Sequence, residues 1–112
     1  MGNVLVVLAE GFEEIEAISV IDILRRGGAS VKTLGISGNR QVVGGHGIPV
    51  IADLQLSDGI NIEETDMIVL PGGKKGTETL KANETLAELI RKQLPLPLRL
   101  MPQSVHSRML QR

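Results

Sequence analysis

The sequence predicts an α/β domain built on a mostly parallel sheet, and three observations carry that prediction. A valine-rich apolar run, Asn3 to Ala9, has the unbroken hydrophobicity of a strand buried on both faces. It passes into a segment of helical period, and a second apolar run, Ser30 to Ile36, follows. Strand, helix and strand within about 35 residues form a right-handed βαβ unit, which places two parallel strands in one sheet.

Each element has its own signals. After the first strand, Ile15, Ile18, Ile21 and Leu24 recur three apart from Glu13 onward, with acids in the first turn, Arg25 and Arg26 in the last, and Gly27-Gly28 beyond. Charge order and glycine stop both indicate a helix with those isoleucines as its apolar face. Gln41 to Val43 and Ile48 to Ala52 flank Gly44-Gly45-His46-Gly47, the pattern of a short ribbon around a glycine-rich turn. Met67 to Leu70, preceded by the acidic stretch Glu63 to Asp66, is a short apolar strand ending at Pro71, so the sheet's active edge is expected there. Asn83 can cap a helix carrying Leu86, Leu89 and Ile90 on one face, ending near Gln93 because Pro95 cannot continue it.

Beyond Gln93 the composition changes. Residues 95 to 112 hold three of the five prolines, none of the thirteen glycines, no acid and three arginines, with no strand or helix period. The expected organisation is therefore one domain over residues 1–94 and a divergent, irregular tail over 95–112.

Composition limits function. A chain of 112 residues buries roughly 60 to 70% of its unfolded surface, enough for one core. With Phe12 as the lone aromatic and a net charge of -1, it offers neither rings for stacking on bases nor a basic face for phosphates, so nucleic acid is not an expected partner. The absence of cysteine removes disulfides, thiolate metal sites and thiol catalysis together. No apolar run approaches the roughly 18 residues of a membrane span, and Met1 leads straight into the first strand without the basic start of a secretory signal, so a cytoplasmic protein is expected.

Ligands of open α/β sheets bind beyond the carboxyl ends of the strands, where loops meet helix N-termini. Two such loops exist. Ala9 to Glu16 brings Glu10, Glu13, Glu14 and Glu16 to one helix start, and Pro71-Gly72-Gly73-Lys74-Lys75-Gly76 exposes successive backbone amides. Acids in a first helical turn also complement the helix dipole, and a glycine pair after a strand also makes a plain turn, so neither loop identifies a site alone. Gly72 to Thr77 and Gly44 to Gly47 do not fit the phosphate-binding glycine motifs. His46 and His106 fall in unlike segments without helical spacing, so neither a metal centre nor a cofactor is expected.

Four ordered motifs do identify a relative: V-L-V-V-L-A-E-G-F-E-E-I-E, I-D-I-L-R-R-G-G, G-G-H-G-I-P-V-I-A-D and D-M-I-V-L-P-G-G-K-K-G. Over about residues 3 to 93 the chain resembles the N-terminal half of the ThiJ/PfpI superfamily, to which the Parkinson-associated deglycase belongs. The resemblance implies a flavodoxin-like three-layer sandwich whose reactive cysteine sits at a strand-to-helix elbow after the helix expected at Asn83 to Gln93. It implies that Glu16 is the buried acid hydrogen-bonded to that sulfur, and that Gly72 and Gly73 supply backbone amides on the oxyanion side. It further implies that His46 lies in a ribbon reaching toward a partner subunit, that Arg26 and the apolar face of the first helix lie at a dimer interface, and that the intact relatives act on small carbonyl-type substrates as glyoxalases, deglycases or stress hydrolases.

The chain departs from the family where the cysteine should appear. Pro95-Leu96-Pro97-Leu98-Arg99-Leu100 stands in place of an apolar strand and elbow, and His106 is in the wrong context for the family's histidine. Truncation after the second major helix, by frameshift or alternative transcript, is expected, along with inactivity of the chain alone. The strand Met67 to Leu70 should then have an unpaired edge, which Leu96, Leu98, Leu100 and Met101 could partly cover. Two other readings stay open: a noncatalytic module pairing through the first helix and the ribbon, and a receiver-like domain, which would want an acceptor Asp where this chain has Pro71.

Overall fold

The computed structural model describes residues 2–60, 64–73, 88, 98–100 and 110–111. Strand β1 (Asn3–Leu8) leads into helix α1 (Glu14–Arg26) and strand β2 (Ser30–Gly35). The ribbon strands β3 (Gln41–Val43) and β4 (Pro49–Ile51) follow, then β5 (Leu54–Gln55), a 3-10 turn at Leu56–Asp58, and β6 (Met67–Leu70). Two short strands complete the described part, β7 (Leu98–Leu100) and β8 (Leu110–Gln111).

The main sheet has the order β5-β2-β1-β6-β7-β8. Every pairing in it is parallel except β7 with β8, so the central four strands run β2-β1-β6-β7, as in flavodoxin-like doubly wound sheets. β1 is buried on both faces, as its unbroken hydrophobicity required. Val4, Val6 and Leu8 point into a cluster with Phe12, Ala17, Ile21 and Val69 under α1, while Leu5, Val7 and Ala9 join Leu34, Ile36, Ile68 and Leu70 on the other face.

The face of α1 differs from the one the isoleucine spacing suggested. A step of three residues turns about 300°, so each repeat drifts about 60° and four of them wrap half the helix. Accordingly Ile15 is 76% exposed and Ile18 is exposed, whereas Ile21 is buried. The core stripe is Ala17, Val20, Ile21 and Leu24, spaced three and four apart.

Within the tail expected to be irregular, the described residues Leu98–Leu100 form a parallel ladder on β6, with Ile68 opposite Leu98 and Leu70 opposite Leu100, so two of the apolar residues offered as cover for the β6 edge do lie on it. Three residues are too few to show a period, and an open ladder edge in a sheet recruits what strand the chain offers. β5 and its 3-10 turn, two and three residues long, escaped sequence analysis for the same reason. The helix expected at Asn83 to Gln93 lies outside the described residues, apart from Glu88, which is helical and exposed. Met101, His106, Lys74 and Lys75 also lie outside them.

Candidate functional site

Three loops meet at the carboxyl ends of β1 and β6. The first runs from Ala9 to the start of α1, where Glu13 caps the helix by accepting from the Ile15 N–H at 2.8 Å. The second is the turn of the ribbon. Gly11 N–H donates to the Val43 carbonyl and Gly45 N–H to the Phe12 carbonyl, both at 2.8 Å, while Val43 N–H donates to Glu10 Oε1 at 3.0 Å. The third is Pro71-Gly72-Gly73, gripped in both directions. The Gly72 carbonyl accepts from Glu13 N–H at 3.0 Å, and the Gly72 N–H donates to Glu16 Oε1 at 3.1 Å.

Two glycines make this approach feasible. Gly73 has φ +108°, and a Cβ there would lie 2.8 Å from both Glu13 N and Gly11 O. At Gly44 a Cβ would collide with the Glu14 carboxylate.

The acids at the start of α1 divide into different roles. Glu16 is half-buried, and burial together with the charge of Glu13 raises its carboxyl pKa against the lowering effect of the Gly72 N–H. Glu14 is only 6% exposed. Burial pushes its carboxyl up, but donors prevail and its pKa is lowered. Those donors are His46 Nδ1 at 2.8 Å from Oε1, with His46 N–H at 2.8 Å and Ile48 N–H at 3.4 Å from Oε2. The exposed imidazole responds in the opposite sense: the hydrogen bond it donates to Glu14, then the charges of Glu14 and Glu13, raise its pKa.

The structure brings Glu16, Gly72 and Gly73 together at one edge of the sheet. It spends the Gly72 N–H on Glu16, so that amide is not free to face a substrate oxygen. His46 sits at the ribbon tip against Glu14 of its own chain. Arg26 lies at the far end of α1, roughly 18 Å along the axis, in an exposed ion pair with Asp22 at 3.0 Å. The role of Glu14 was missed, because its residue type in a first turn suggests dipole compensation and its partner is 32 positions away. His46 and His106 share no helical spacing that would predict a metal centre, yet the fold sets His46 beside Glu13 and Glu14, the group among the described residues whose donor atoms could hold an ion. A separate cavity of about 240 Å³, lined by Asn3, Lys32, Leu54 and Glu64 among others, contains none of these residues. Among the described residues no helix is long and apolar enough to cross a membrane.

The DJ-1/PfpI family model matches residues 2–96. The chain is 44% identical over 91 residues to Protein DJ-1 homolog A of Arabidopsis thaliana, covering 81% of this chain and 23% of that protein. It is 32% identical over 89 residues to the Parkinson disease protein 7 homolog of Danio rerio, covering 80% of this chain and 47% of that one. Among solved structures, a cysteine-to-alanine mutant of a DJ-1 superfamily protein from Salmonella typhimurium superposes with TM-score 0.81 and 40% identity, covering 88% of this chain and 54% of that chain. Drosophila melanogaster DJ-1beta superposes with TM-score 0.85 and 29% identity, over 91% and 55% of the two chains. The chain therefore spans about half the length, or less, of these relatives.

Proposed function

We propose, from the premise that this chain belongs to the DJ-1/PfpI family, that it carries the acid-and-amide half of a thiol-dependent site for small carbonyl compounds and performs no such chemistry alone. The observation that carries this reading is the Gly72 N–H to Glu16 Oε1 bond of 3.1 Å at the sheet's carboxyl edge, in a chain of 112 residues with no cysteine. Oε1 is occupied as an acceptor, so Oε2 is the oxygen left to carry a proton when the carboxyl is protonated, a form that burial favours. In a complete site of the glyoxalase, deglycase or stress-hydrolase kind, that proton would be donated to a sulfur and would help hold it as a thiolate. Gly72 acts as a positioning residue for Glu16, and Gly73 is the amide of the pair left to face a carbonyl oxygen under attack. Without a nucleophile no covalent intermediate can form, whatever the quality of the remaining half.

A second reading is favoured by a specific observation. Ile15, Ile18 and Ile23 on α1 and Ile48 and Ile51 on the ribbon are exposed large apolar residues. This supports a noncatalytic module that associates through α1 and the ribbon with a second copy or an intact relative. One preparation tests both. The pure chain incubated with methylglyoxal should consume it no faster than buffer does, and measurable turnover would overturn the inert half-site. Light scattering on the same sample should give a mass above the 12.0 kDa of one chain if the second reading holds; a strict monomer would reject self-association.

A further inference from the structure

We propose that Glu13, Glu14 and His46 form a binding site for a divalent first-row transition ion such as zinc, clamping the ribbon turn to the start of α1. The three side chains come from two separate elements, and no two of their donor atoms lie farther apart than 4.8 Å. His46 Nδ1 is 2.8 Å from Glu14 Oε1 and 3.9 Å from Glu13 Oε2. An ion held about 2.1 Å from each donor needs donors no more than about 4.2 Å apart. Both imidazole distances already satisfy that, and a small rotation of Glu13, the more exposed of the two acids, closes the rest.

What distinguishes this group from acids merely gathered at a helix start is how the other atoms are occupied. Glu13 Oε1 is held by Ile15 N–H, and Glu14 Oε2 by His46 N–H and Ile48 N–H. Each carboxylate is thereby oriented by backbone donors, with its remaining oxygen facing the same imidazole nitrogen. Such outer donors orient the ligands of known metal sites. The Glu14 carboxylate is a charge removed from water, at 6% exposure, and its free oxygen has His46 as its partner. One nitrogen and two carboxylate oxygens form a donor set of net charge -2, with imidazole favouring zinc, copper, iron or nickel over magnesium or calcium. The ribbon tip is open, so water fills the remaining positions.

The test uses the full chain without an affinity tag, at pH 8 in a non-chelating buffer. Titration with Co²⁺, followed by its visible ligand-field bands, and with Zn²⁺, followed by calorimetry, should give one ion per chain. Circular dichroism at each point reports that the fold is retained. His46→Ala, which alters an exposed side chain, should weaken uptake by about tenfold or more. Glu13→Gln, which keeps an oxygen for the helix cap, should weaken it by a similar factor. His106→Ala should leave uptake unchanged. Absence of saturable uptake by the folded chain would overturn the site and leave the trio as a hydrogen-bonded latch. Uptake unaffected by His46→Ala, or abolished by His106→Ala, would overturn it too. None of these outcomes bears on the inertness of the chain toward methylglyoxal, so the two readings fail independently.

Discussion

The loop cluster at the carboxyl edge and the strand on the far side of β6 show two ways of completing one sheet. In the cluster, α1, the ribbon and the glycine turn are laced by hydrogen bonds that run both ways, from backbone amides to backbone carbonyls and to the Glu10 and Glu16 carboxylates, and each partner leaves little freedom to the next. Beyond β6, the ladder rests on three residues of β7, themselves edged by the two-residue β8. The cluster needs specific residues at specific backbone angles. The tail strand needs only extended backbone with an amide and a carbonyl to offer. The cluster is thus held by particular residues within the 2–96 match to the family model, while the strand beside β6 is supplied by three residues beyond it.

The contrast is broken most forcefully from the cluster side. Gly73→Ala imposes a Cβ at φ +108° and drives it against Glu13 N and Gly11 O, both backbone atoms that cannot rotate away. Strain of this kind together with the clash should cost about 3 kcal/mol, read as a lowered urea midpoint at unchanged slope. A loss below about 1 kcal/mol would mean that the three loops are not mutually locked.

The next largest effect lies in the tail. β7 has neighbours on both sides, so a proline at Arg99 deletes an amide that pairs toward β6 or toward β8. Arg99→Pro should cost about 2 kcal/mol, through a lost hydrogen bond and an uncovered polar group. Amide exchange at Ile68, Val69 and Leu70 should accelerate in the variant, while exchange at Val4 to Leu8, whose strand pairs with β2 and β6 instead, changes less. Unchanged exchange along β6 would show that the tail contributes nothing to that edge.

These two regions were unequally legible in the amino-acid sequence. β1, β2, the ribbon and β6 were readable because apolar runs bounded by glycine, proline and charge have few alternatives. The three-residue isoleucine spacing on α1 misled, since it mixes the core side at Ile21 with the solvent side at Ile15 and only the four-residue step from Ala17 to Ile21 follows the buried stripe. Glu16 and the glycine pair were reachable through the family resemblance. The pairing of Glu14 with His46 was not, because it depends on a long-range approach that Gly44 permits, and a glycine in a ribbon turn already has an ordinary explanation. That Leu98 and Leu100 lie beside β6 was legible, as an apolar run next to an expected open edge; that they form a strand was not, because three residues show no period.

The smallest expected effect concerns the protonation of Glu16 within the cluster. Glu16 has a raised carboxyl pKa, chiefly through burial, so the folded state holds its proton more tightly than the unfolded state does. Below the ordinary glutamate value of about 4.3 both states are protonated and the group contributes no difference. As pH rises past that value the unfolded chain ionises first, and the charged form is disfavoured in the fold until the raised pKa is passed. The wild type therefore loses stability relative to Glu16→Gln over that interval, and the difference is constant above it. Glutamine keeps an oxygen to accept from the Gly72 N–H, so the loop geometry should survive. Melting temperatures of the two proteins should coincide at pH 4 and diverge by pH 7 in favour of the glutamine variant. A glutamine variant less stable than wild type at pH 7 would mean that the carboxylate is held charged by its amide donor, and Glu16 would then be a structural acceptor with no proton to give.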